Sequence, residues 1–371
     1  MMNNPDFSMN AKKSKRIFYF DALRALAIIS VILVHVFDGA TAKYVFSSYV
    51  VPSFNWFIAD FFNNCSRIGV DLFLMLSGAL SLGRDWSIRS FLSKRLPRII
   101  LPFLFWGFVL SGLLILGSYY LGFGFIESFD LMSILNYIYL AYMAKTTGFW
   151  PYWFFWMILG TYLIMPVFNK WIKNASLDEL EYFLIIWLIT CLFEYTLKID
   201  FPISLIYFTG PIGLVVLGYY LRYTRRKILN NPYFDIFLII VSWIALVYFS
   251  YLLSDTTQIY RFHRYSLPIA IEVIGVFLLF KNFNKLNINL GILSNPNGSI
   301  HNLIEDIAKS SYGIYLTHSA FLQIIIKSLP NYILPYGILV SILSILTLFI
   351  PLLVLLALSN VPYLNKVIGV K

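Results

Sequence analysis

Charge is scarce in this chain. Only 12% of its 371 residues are Asp, Glu, Lys or Arg, about half the roughly 25% of an ordinary globular protein. So few charges cannot cover the surface of two or three soluble domains. Cysteine is scarcer still: Cys65 and Cys191 lie in or beside apolar segments and match no metal-ligand spacing, so neither a disulfide scaffold nor a metal centre is expected. The loops also lack a glycine-rich phosphate cradle, a His-Glu-x-x-His pair and a nucleophile elbow. No internal repeat and no matched pair of glycine-broken helices marks a secondary transporter. A cleavable leader is set aside too, because the apolar run Ile17 to Phe37 is too long for one and holds Asp21 and Arg24.

What the chain has in plenty is apolar side chain, 59% of the total. A bilayer span takes about 20 such residues. Runs of that kind fall near 17–37, 55–83, 99–120, 150–168, 182–198, 203–221, 234–253, 265–280, 307–327 and 333–359. The expected fold is therefore all-α, a polytopic transmembrane bundle of about ten spans. One membrane domain covers 17–359, with a basic tail at 1–16 and a short tail at 360–371. An interfacial helix is expected around Leu131 to Tyr142. The second run is the least clean, being interrupted by Asn63, Asn64, Arg67 and Asp71.

The net charge of +10 sits mostly in short loops, where it reads as a topology signal and not as a nucleic-acid surface. With the N-terminus inside, nineteen Lys and Arg fall on the inner side and six on the outer. Both termini are thus expected in the cytoplasm, with membrane lipids as partners and no nucleic acid.

Polar groups inside spans are costly, about 2.5–3.5 kcal/mol for a central charge, so they point to function. Arg24 and His35 are eleven residues apart in the first span, which puts both on one helix face about 16 Å apart along the axis. Asp21, three residues before Arg24, joins that stripe; an intrahelical ion pair with an interfacial histidine is the plainer account. The next inner segment, Arg84 to Arg98, holds five cations, and Arg95 and Arg98 have the spacing of a phosphate clamp at the mouth of the third span. Asp71 is expected to pair with Arg67 one turn earlier, the alternative being that it orients a catalytic group. His318, beside Tyr315, reads equally as a packing residue or a substrate contact, and Glu272 is a lone carboxylate in the eighth span. Aromatic-rich Trp150 to Trp156, with Trp153 at its centre, suits a sugar ring or lipid tail as well as an interfacial belt.

Taken together, Phe20-Asp21-Ala22-Leu23-Arg24 with His35, Gly69-Val70-Asp71-Leu72-Phe73 through Gly78, Arg95-Leu96-Pro97-Arg98 and Tyr312-Gly313-Ile314-Tyr315-Leu316-Thr317-His318 resemble the successive motifs of membrane acyltransferase family 3. The resemblance runs from about residue 17 to 359. Within the family, Trp153-Phe154-Phe155 and Met165-Pro166 are most similar to members that O-acetylate enterobacterial common antigen. The resemblance implies an O-acyltransferase of the bacterial cytoplasmic membrane that moves acetyl from acetyl-coenzyme A, a substrate and not a bound cofactor, to a hydroxyl of a surface polysaccharide or lipid-linked sugar. Polysaccharide-assembly proteins are further expected partners. His35 would be catalytic, as general base or as transient acyl carrier. Arg24, Arg95 and Arg98 would bind the donor, and Asp71, Trp153, Glu272, Tyr315 and His318 are acceptor-binding or structural. The rival readings are a transporter or flippase for a glycan or small solute, and a non-catalytic scaffold.

Overall fold

The computed structural model describes residues 17–44 (side chains through 39), 53–199, 210–255, 258–286, 298–328 and 334–370. The basic tail at 1–16 and Lys371 lie outside them. Among the described residues the chain is helical, without strands. Twelve α-helices follow one another among these residues: α1 Phe18–Tyr44, α2 Phe54–Cys65, α3 Ile68–Ser81, α4 Ile88–Leu121, α5 Leu131–Tyr142, α6 Trp153–Asn174, α7 Leu177–Thr190, α8 Pro211–Tyr223, α9 Pro232–Leu253, α10 Leu267–Asn282, α11 Ser299–Ser328 and α12 Tyr336–Ser359. Seven helical stretches among the described residues are long and apolar enough to cross a membrane.

Three of the ten expected spans depart from that pattern. The run 55–83 is two short helices, α2 and α3, parted at Ser66 and Arg67. Its polar residues bond sideways instead of letting one rod continue. Asn64, fully buried, donates to Asp60, to Ser250 of α9 and to the carbonyl of Tyr260, and accepts from the amide of Phe262. Part of 203–221 lies outside the described residues. α11 is 30 residues long but carries buried Ser310, Ser311, Thr317, His318 and Ser319, which lower its hydropathy and face the bundle interior.

The third expected span begins earlier than its apolar run. Ser87 caps α4, accepting from the amide of Ser90 at 3.1 Å, so Arg95 and Arg98 lie about two and three turns inside a helix and not in a loop at its mouth. α5 occupies the expected interfacial stretch, capped by Asp130, which accepts from the amides of Met132 and Ser133.

Motif glycines set the helix spacing. A Cβ on Gly69 would lie 2.6 Å from the carbonyl oxygen of Ala27, so α3 can press on α1 only without a side chain there. Gly78 and Gly218 do the same between α3 and α8: a Cβ would come within 1.8 Å of the Val215 oxygen and 2.0 Å of the Met75 oxygen. The stretch after α12 folds back on the bundle. Ile368 is fully buried, and its carbonyl accepts from the Trp106 indole at 3.0 Å and lies against Gly313.

Candidate functional site

Two cavities flank Tyr315. The first, about 100 Å³, is lined by Arg24 of α1, Ser77 of α3, Arg95 and Arg98 of α4, Tyr162 of α6 and Tyr312 of α11, among others. It brings together the three arginines singled out from the sequence. Arg95 donates to Ser81 at 2.6 Å, and its guanidinium lies 5.8 Å and 6.0 Å from the ring centroids of Phe91 and Tyr162. Arg24 pairs with Asp21 at 2.8 Å, so the intrahelical ion pair exists and Arg24 still borders the cavity. Arg98 is exposed.

The second cavity, about 520 Å³, is lined by His35 and Asp38 of α1, Arg67 and Gly69 at the start of α3, Trp153 at the start of α6, and Glu194, Tyr195, Lys198 and Arg261 to Arg264. That size falls within the roughly 300–1,000 Å³ usual for small-ligand sites. Tyr315 borders both cavities. Its hydroxyl donates to the carbonyl of Pro151 at 2.9 Å, and its ring meets those of Phe154 at 4.7 Å and Phe73 at 6.4 Å. An aromatic partition thus stands between the arginine side and the histidine side.

Hydrogen bonding fixes the form of the His35 ring. Nδ1 lies 2.7 Å from the carbonyl oxygen of Val31. A carbonyl only accepts, so the proton sits on Nδ1 and the lone pair on Nε2. His318 is held the same way, its Nδ1 2.7 Å from the carbonyl of Tyr315, which leaves its Nε2 as an acceptor 3.4 Å from His35 Nδ1. The His35 N–H is therefore shared between Val31 and His318. Among the described residues, His35 Nε2 has no hydrogen-bond partner, and His35 lines the cavity. His318 is fully buried behind it and borders neither cavity.

Asp71 and Glu272 sit elsewhere. Arg67 reaches back to Asn63 at 2.7 Å, not forward to Asp71, whose two buried oxygens have no hydrogen-bond partner among the described residues. Arg67 stands at the junction between α2 and α3, in the N-cap position but without a capping hydrogen bond, and its side chain reaches back to the end of α2. Glu272 accepts from the Trp243 indole at 2.6 Å and lines neither cavity. Trp153 does line the second cavity, with the Arg264 guanidinium 3.7 Å from its ring centroid.

Sequence reasoning missed the far wall of the second cavity. After α7 the chain continues as a π-helix, Cys191–Leu197, a conformation often found at functional sites. Thr196 donates to the carbonyl of Cys191 and accepts from the amide of Leu267, tying the π-turn to the segment before α10. Tyr195 stacks on His263 at 4.3 Å. The available signal was Arg261-Phe262-His263-Arg264 itself, a dense cationic run on the side where the charge bias demands few. Among the described residues no three His, Cys, Asp or Glu side chains gather as a metal-binding group.

The family model described as an acyltransferase domain matches residues 17–358. Comparison with curated proteins and with solved structures returns no match. With a match over nearly its whole length, and with helices long and apolar enough to cross a membrane several times, the chain belongs to the membrane acyltransferases of acyltransferase family 3.

Proposed function

We propose that this protein is an O-acyltransferase of the bacterial cytoplasmic membrane, with about ten spans and both termini in the cytoplasm. It moves acetyl from acetyl-coenzyme A to a hydroxyl of a cell-surface polysaccharide or lipid-linked sugar. The observation that carries this reading is the arrangement about Tyr315: three arginines line a narrow cavity on one side, and a histidine of defined tautomer lines a wide one on the other.

The narrow cavity is too small for a whole nucleotide. Arg98 and Arg95 meet the coenzyme phosphates at its mouth, as guanidinium groups suit phosphate, and only the thin thioester arm passes inward toward Tyr315. On the far side His35 Nε2 takes the proton of the acceptor hydroxyl as its oxygen attacks the thioester carbonyl. The C–S bond breaks, and the thiolate leaves with the coenzyme and becomes a thiol on taking up a proton. The same lone pair serves a second route, in which Nε2 attacks first and carries the acyl group to the acceptor. His318 and Val31 hold the imidazole in the productive form in either case, and Trp153 offers a face to the acceptor.

The test uses detergent-purified protein and acetyl-coenzyme A labelled in the acetyl group. Wild-type protein releases free thiol and labels an envelope glycan fraction, whereas His35→Ala, still folded, does neither. Undiminished transfer by His35→Ala ends the proposal. Rapid quenching separates the two routes, because labelled acyl-histidine accumulates only in the second.

A further inference from the structure

The second cavity is short of negative charge. Among the described residues four cations line it, Arg67, Lys198, Arg261 and Arg264, against two carboxylates, Asp38 and Glu194. Asp38 is already engaged, pairing with Arg261 at 3.0 Å and accepting from Asn63. The other three cations form no ion pair with any described residue. Arg67 donates to the neutral Asn63, and its Nε is buried without a partner. Arg264 lies on the Trp153 ring and Lys198 over Tyr260, contacts that satisfy a cation's face but bring no counter-charge.

Lys198 stays in water, but Arg67 and Arg264 are partly drawn out of it, which costs free energy unless an anion meets them. A neutral sugar would leave this debt standing, whereas a ligand bearing a carboxylate or phosphate cancels it. We infer that the His35 cavity binds an anionic glycan unit, with its acidic group against Arg67 and Arg264, its ring against Trp153 and a hydroxyl toward His35. That this ligand is the acyl acceptor rests on the function proposed above; that the cavity selects an anion does not. The acidic group has two natural sources, the carboxylate of an acidic sugar and the phosphate that links a sugar to its lipid carrier.

Binding to the purified full-length protein, followed by calorimetry or by Trp fluorescence, tests this with three probes: glucuronate, glucose 1-phosphate and glucose. At least one of the two anions is expected to bind about tenfold or more tightly than glucose, as charge-assisted bonds exceed neutral ones. Preference for glucuronate identifies an acidic sugar, and preference for glucose 1-phosphate identifies the lipid-linked phosphate. Arg264→Gln should abolish the preference and Arg264→Lys should retain part of it. Should Arg264→Gln fail to fold, Lys198→Gln, a change at an exposed side chain, is expected to reduce the preference severalfold. Equal binding of all three probes, no binding of either anion, or a preference untouched by every variant overturns the inference. Acetyl-coenzyme A turnover on the same preparation is read separately. Loss of turnover with the anion preference intact defeats the acyltransfer proposal and leaves this one standing.

Discussion

On the arginine side of Tyr315 the cavity wall is built from residues lying within α1, α3, α4, α6 and α11. On the histidine side it is built largely where helices stop or change pitch: the break before α3, the start of α6, the π-turn after α7 and the segment before α10. Regular helix gives a narrow, closely packed slot in which cations at fixed spacing face one way. Interrupted helix gives a wide chamber whose polar groups come from distant parts of the chain. A donor with a constant chemical handle suits the first. Acceptors, which vary more in shape, suit the second.

Replacing one key residue on each side puts this contrast to the sharpest test. His35→Ala should lower turnover by about 10²–10⁴-fold, the usual worth of a positioned base, and no concentration of donor should restore it. Arg95→Ala should instead raise the KM for acetyl-coenzyme A by about tenfold, as expected for one charge-assisted contact, with kcat recovered at saturation. Equal behaviour of the two variants in steady-state kinetics would erase the distinction between a binding side and a reacting side.

A subtler break concerns the shared N–H of His35. His318→Phe removes one acceptor and should reduce kcat by about tenfold while leaving the donor KM unchanged. His318→Gln, whose side-chain oxygen accepts as the imidazole did, should recover part of that loss; a purely packing role predicts the opposite order. Gly69→Ala forces α3 away from Ala27 and Val31, the residue whose carbonyl holds His35. It should cost about 1–3 kcal/mol of stability and lower kcat, whereas Gly337→Ala, with open space around it, serves as the silent control in thermal melts.

The smallest effect is a pH dependence confined to the histidine side. Burial, with Arg264, Arg67 and Lys198 nearby, pushes the pKa of His263 from 6.5 down to about 4. The unfolded chain therefore takes up this proton first as pH falls, and the native state resists it. The stability contribution is whole above pH 6.5 and drains away toward pH 4. Melting temperature should decline across that window, and His263→Gln should make the decline shallower.

Much of the helical architecture was legible because apolar runs announce it. Arg24, Arg95 and Arg98 were found together because motif spacing survives in regular helix. The Arg67–Asp71 pairing failed because spacing alone allows Arg67 two partners four residues away, and its side chain turns back to Asn63 at the end of α2. The 55–83 run hid that break, since neither glycine nor proline marks Ser66–Arg67 and the cause lies in Asn64 reaching to α9 and Tyr260. Arg261 and Arg264 were counted as loop charges, and His263 carried no expectation. Only the fold shows that the loop bearing them is drawn over His35 by hydrogen bonds to Asn64.

The hold that α4 and α11 take on Ile368 has a practical corollary for anyone labelling the protein. A fluorescent reporter or purification handle inserted close behind Ile368 would tug on the same rod that bears Tyr315 and His318. Fusions of that kind need a generous flexible spacer, and a poorly active one should be rebuilt with its handle ahead of Ile17 before the chemistry is blamed.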